Sequence, residues 1–219
     1  MKYIFYKEKI KLNRILLTVL IINISILIYT FFRVRLGIMM NEPSAIWLDI
    51  VLKHGIFYGN VEIALYISAV LIGVMQFYPE FEKKRFRLAC HLPISEYKMI
   101  FFTFLFSIIV LTVLWVIDTL GVVFLVSRFF PPDLYKEIPL LMFYWYIKAI
   151  IIYGFVSSLT LEVSWNVKLR LAVLMAGFLW LFKMEVYNSS ILYAFVIFII
   201  ALIYLFAIYY PALMFRKGL

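Results

Sequence analysis

One cysteine, two histidines and twelve acidic residues are all that 219 positions hold of the side chains most used in redox, metal and acid–base chemistry. Cys90 by itself excludes an internal disulfide and any metal site built from several thiolates. His54 and His91 fall on opposite sides of the membrane in the topology derived below, which excludes a two-histidine metal site. Glycine is scarce too. None of the eight glycines begins a phosphate-binding loop followed by lysine, so the chain does not bind ATP that way. There is no H-E-x-x-H, and no Ser-His-Asp set shares one water-accessible face. An intramembrane enzyme therefore lacks a catalytic set, and the chain is expected to need no cofactor of its own.

Charged residues make up only 15% of the chain, whereas 66% is hydrophobic and 20% aromatic, with a mean hydropathy of +1.03. A soluble domain averages about 45–50% apolar and about 25% charged residues. This chain carries more apolar side chain than a compact soluble domain can hide. The composition points to an all-α, polytopic membrane bundle forming one domain over residues 1–219.

A hydrocarbon layer of about 30 Å takes roughly 20 apolar residues per helix. Runs that meet this requirement lie at about 15–32, 56–78, 99–126, 139–161, 166–182 and 190–215, giving six expected spans. Pro79 is expected to stop the second. Residues 1–14 alternate lysines with apolar side chains and read as a short interfacial helix before span one. Residues 33–55 read as an outside loop, with a half-helix around Ile46–Val51. Pro131-Pro132 stops span three.

The excess of 21 basic over 12 acidic residues gives a net charge of +9. On a soluble protein this would point to nucleic acid. Sorted over six spans, fourteen basic residues fall on the side of both termini and six on the other, with Lys148 inside the membrane. Basic residues collect in cytoplasmic loops. Both termini are therefore expected in the cytoplasm of a multi-pass plasma (inner) membrane protein, with lipid headgroups rather than nucleic acid as partners of the surplus charge.

The loop 79–98 concentrates that charge. Glu80, Lys83, Lys84 and Arg87 recur at helical spacing, with Phe81, Phe86, Leu88 and Leu92 available for burial. Pro93 ends this piece, and Ser95 is suited to cap the next helix. A short amphipathic helix lying along the cytoplasmic surface is one reading, and a basic loop resting on lipid is the other. Together with Phe5-Tyr6-Lys7-Glu8, residues 76–96 resemble the permease subunits of ABC transporters of the ABC-2 (type V) kind. The resemblance implies about six spans, an amphipathic N-terminal helix and a coupling helix in the first cytoplasmic loop. It also implies a second permease copy or homologous permease, and a separate ATP-binding cassette ATPase that holds the ATP. Glu80, Arg85, Arg87, His91 and Pro93 are then the expected coupling residues. The expected function is the membrane-spanning subunit of an ATP-driven exporter; the alternative is a non-transporting membrane scaffold or accessory protein.

Ionisable residues inside a membrane are costly and mark function by default. Lys148 falls near the midplane of span four and Glu62 in the outer third of span two. Both are candidates for lining a translocation cavity, with a structural ion pair as the plainer reading. Asp118 is expected at the outer interface, near the end of span three. Trp47, Trp145, Trp180, Tyr209 and Tyr210 are expected in interfacial belts.

Overall fold

The computed structural model describes residues 2–40, 57–82, 96–130, 138–162 and 164–183. The expected half-helix near 46–51, the coupling segment beyond Glu82, the Pro131-Pro132 stop and the sixth span lie outside the described residues. Those residues form five helices and no strand: α1 Lys2–Met40, α2 Gly59–Glu82, α3 Glu96–Phe129, α4 Ile138–Leu161 and α5 Trp165–Lys183. Four of them, α1 to α4, are long and apolar enough to cross a membrane. This is a membrane-embedded helical bundle.

The element boundaries correct several expectations. Residues 2–14 are continuous with the first span, because α1 runs unbroken from Lys2 to Met40. Its buried residues Glu8, Leu12, Val19, Asn23, Thr30 and Val34 recur at spacings of four, seven and eleven, a single stripe along one face. The stripe continues through both the lysine-rich and the apolar parts. At its other end α1 passes through Arg33 and Arg35, where a loop was expected. Arginine is a good helix former, so charge marks where the hydrocarbon ends and not where the helix ends. At 39 residues and 1.5 Å per residue, α1 is about 58 Å long.

Pro79 does not stop α2, which continues to Glu82. The proline ring holds φ near the helical value, so it removes one bond to the preceding turn without forcing an exit. The fifth expected span is present as a helix of 19 residues. Asn166, Lys168 and Arg170 occupy its first turns. Ser164 turns the chain from α4 into α5, donating its backbone N–H and hydroxyl to Glu162 Oε1 at 3.2 and 3.1 Å.

Side-chain contacts set the helix directions. Glu8 meets Gln76 and Asn23 meets Ser68, so α1 and α2 are antiparallel. Phe5 packs on Phe106, Leu27 on Gly121 and Phe31 on Phe129, so α1 and α3 are parallel. Tyr58 packs on Trp145 and Gly73 on Val156, so α2 and α4 are parallel. Residues 2, 82, 96 and 161 therefore share one end of the bundle, here the near end. α4 is buried on nearly every side, as expected of a helix that is apolar all round.

Hydrophobic burial does not hold helices together in lipid, so close backbone approach and buried hydrogen bonds must do so. Two glycines permit the approach. A Cβ on Gly73 would stand 3.1 Å from Val156 Cγ1 and 3.3 Å from the Tyr153 carbonyl oxygen. One on Gly121 would stand 2.8 Å from Leu27 Cδ1. Trp145, expected at the interface, is instead a core residue only 1% exposed. Its ring lies 5.6 Å from that of Tyr58.

Candidate functional site

The bundle interior carries polar side chains at three levels. At the near end the centre is Gln76 on α2, fully buried. A primary amide offers two N–H donors and an oxygen with two lone pairs. Gln76 uses all four. Its Nε2 donates to Glu8 Oε2 at 3.1 Å and to the Thr103 carbonyl at 2.9 Å. Its Oε1 accepts from Ser107 Oγ and from the Tyr153 hydroxyl, both at 2.6 Å. One side chain on α2 thereby joins α1, α3 and α4. Glu8, 1% exposed, is also paired through Oε1 with Lys11 Nζ at 3.2 Å. Nothing in the sequence had singled out Gln76. The available signal was a set of polar residues (Glu8, Gln76, Ser107, Tyr153) standing at core positions of otherwise apolar stripes.

The far half holds a charged level. Lys148 Nζ on α4 lies 3.6 Å from Glu62 Oε1 on α2, the two side chains being 8% and 28% exposed. The Tyr66 hydroxyl donates to the same Glu62 oxygen at 2.5 Å. The structure thus brings together the two intramembrane residues singled out from the sequence. Glu62 lies near the start of α2. An open cleft of about 400 Å³ lies between α1 and α2, lined by Ile26, Tyr29, Arg33, Asn60 and Ile63. Neither Lys148 nor Glu62 lines it.

Between these levels Asn23 Nδ2 on α1 donates to the Val19 carbonyl and to Ser68 Oγ on α2, each at 2.8 Å. Ser68 Oγ in turn donates to the Ala64 carbonyl at 2.7 Å. Asp118 on α3 is wholly buried and does not stand near the end of its helix, where it was expected. α3 continues eleven residues beyond it, to Phe129. Asp118 falls on the buried stripe Phe104, Ser107, Leu111, Leu114, Asp118, Val122, Leu125. It faces the bundle, not the boundary.

Of the expected coupling residues, Glu80 stands in the last turn of α2. Arg85, Arg87, His91 and Pro93 lie outside the described residues. No cluster of three or more His, Cys, Asp or Glu side chains suited to a metal occurs among the described residues. Comparison of the chain with protein-family models, with curated proteins and with solved structures finds no match in any of the three. The functional reading therefore rests on the geometry and on residue chemistry.

Proposed function

We propose that this chain is the permease subunit of an ATP-driven ABC transporter, an exporter, driven through loop 79–98 by a separate ATPase subunit. The observation that carries the reading is the Gln76 junction. Loop residues 83–95 connect the end of α2 to the start of α3. Gln76 lies six residues inside α2 and Thr103 seven inside α3, each about 10 Å from its helix end. The two helices that flank the loop are thus tied to each other within about two turns of it. They are tied there to α1 and α4 as well. A displacement of the loop would reach four helices as one cross-linked unit, which is how packed elements move as rigid bodies.

Charge supports the orientation. The near end carries Lys7, Lys9, Lys11, Arg14, Lys98, Lys168 and Arg170, and the far end Arg33, Arg35 and Arg128. The positive-inside rule then faces the near end, with loop 79–98, to the cytoplasm, where an ATPase would dock. In this reading the Lys148–Glu62 pair lies in the outward half, where spans would part to release a substrate. Glu80, Arg85, Arg87, His91 and Pro93 would receive the ATPase movement.

Co-purification tests the proposal. Tagged protein taken from its native membrane in mild detergent should bring down an ATP-binding cassette subunit. Charge reversal at Arg85 and Arg87 should release that subunit while leaving the bundle folded. A preparation that is folded and carries no ATPase sinks the reading.

A further inference from the structure

We propose that Asn23 and Asp118 form a binding site for a small monovalent cation, a proton or a sodium ion, inside the bundle. The proposal does not depend on the transporter reading. Its basis is where these two side chains stand and what their oxygens lack.

Leu27 of α1 is seated against Gly121 of α3, closely enough that a Cβ on Gly121 would lie 2.8 Å from Leu27 Cδ1. Asn23 precedes Leu27 by four residues and Asp118 precedes Gly121 by three. Those spacings keep each residue on the face of its own helix that makes the contact. The helices are parallel, so both steps lead one turn toward the same end. Asn23 and Asp118 therefore face one seam at one level, 1% and 0% exposed.

Every polar hydrogen that Asn23 and Ser68 bring to this level is already committed. The Asn23 amide donates to Val19 and Ser68, and the Ser68 hydroxyl to Ala64. Three acceptor oxygens are left without a donor among the described residues: Asn23 Oδ1, Asp118 Oδ1 and Asp118 Oδ2. The Trp115 indole N–H, one turn away on α3, and the Thr119 hydroxyl are unpartnered as well and bond neither carboxylate oxygen. The buried and half-buried ion pairs and hydrogen-bonded hydroxyls on the helices packed against α3 are engaged elsewhere. Glu62 holds Lys148 and Tyr66, Tyr146 shares a hydrogen with Thr112, Tyr153 holds Gln76, and Glu8 holds Lys11 and Gln76.

Buried polar groups are ordinarily hydrogen-bonded, and an isolated buried carboxylate is too costly to persist uncompensated. Three acceptor oxygens that no hydrogen among the described residues reaches call for a cation. The donors are all hard oxygens, which suit a proton or an alkali ion and not a transition metal. Only one formal charge needs balancing. A divalent ion would leave a net positive charge in the apolar interior, so the occupant is monovalent.

The test uses the full chain purified in detergent and follows thermal unfolding by tryptophan fluorescence. Sodium chloride is titrated against choline chloride at constant ionic strength, and the series is repeated across pH without sodium. Wild type should gain stability saturably from sodium, or from acidification alone, whereas choline should give none; the two arms distinguish the ions. Asp118→Asn should abolish that response. Asn23→Ala should weaken sodium half-saturation about tenfold, or displace the pH midpoint correspondingly, as expected for losing one oxygen contact. A wild type that responds to neither ion overturns the proposal, as does an Asp118→Asn protein that responds like wild type. Where Asp118→Asn does not fold, Asn23→Ala decides: an unchanged response overturns the site and a weakened one supports it.

Discussion

Replacing Gln76 by leucine keeps the volume of the side chain and removes four hydrogen bonds at once. Interhelical hydrogen bonds inside membrane proteins average about 0.6 kcal/mol each, so four give about 2.4 kcal/mol. The bond to Glu8 is charge-assisted, a class worth about 1.5–3 kcal/mol. Ser107 and Tyr153 hydroxyls can rotate toward other acceptors, which recovers part of the loss. Lys11 still holds one oxygen of Glu8, at 3.2 Å. A loss of about 3 kcal/mol results, roughly a 150-fold shift in the folding constant. The assay is reversible unfolding in mixed micelles of mild and denaturing detergent, read by far-ultraviolet circular dichroism. Gln76→Glu should be worse than Gln76→Leu at neutral pH, because it sets a second carboxylate 3.1 Å from Glu8. A double-mutant cycle between Gln76→Leu and Ser107→Ala should show the two effects to be strongly non-additive. A Gln76→Leu protein within about 0.5 kcal/mol of wild type, inside the ordinary range for surface substitutions, would refute the junction as a structural link.

Three further outcomes follow from the same geometry. Gly73→Ala should destabilise by about 1–2 kcal/mol, since its new methyl meets the Tyr153 backbone, whereas Gly121→Ala should be near neutral because Leu27 can yield and alanine favours a helix by about 1 kcal/mol; micelle unfolding checks an order opposite to that of the contact distances. Lys148→Met should cost about 1–2 kcal/mol, discounted because Glu62 is partly exposed, and Lys148→Met with Glu62→Gln should be milder than Lys148→Met alone; equal losses in the single and double variants would mean the pair is not coupled. Cys90 is the chain's only cysteine and a native topology probe: a membrane-impermeant maleimide should label it in inside-out vesicles and not in intact cells, and labelling from outside would reverse the orientation.

The apolar runs of α1 to α4 were legible because a lipid environment demands about 20 apolar residues in a row, a demand few other structures make. Their limits were less legible. Arg33 and Pro79 were each read as ends, although arginine favours a helix and proline's φ permits one. Asp118 was placed by its distance along the helix from Met99, at 1.5 Å per residue, a measure of depth that does not tell which side of α3 faces the bundle. Trp145 resembled a belt residue by its position near a span end, but it is buried in the core with Tyr58 packed on it. Lys148 and Glu62 stood out in the sequence because charge is conspicuous in an apolar run. Gln76, Ser107 and Tyr153 did not, since neutral polar residues are common in such runs. Only pairing across helices reveals that they converge, and pairing is a property of the fold.

The junction at Gln76 also imposes an order of assembly. Its four partners are spread over residues 8 to 153, so the amide cannot be saturated until the fourth helix has been synthesised. Glu8 is made first and must pass the making of α2 before it meets Gln76, relying on Lys11 until then. α3 then supplies two of the partners, the Thr103 carbonyl and the Ser107 hydroxyl, and α4 the last, the Tyr153 hydroxyl. A chain interrupted after α2 is left with an unsatisfied amide oxygen inside the membrane, and one interrupted after α3 with that oxygen bonded by Ser107 alone, a mark by which unfinished copies differ chemically from finished ones.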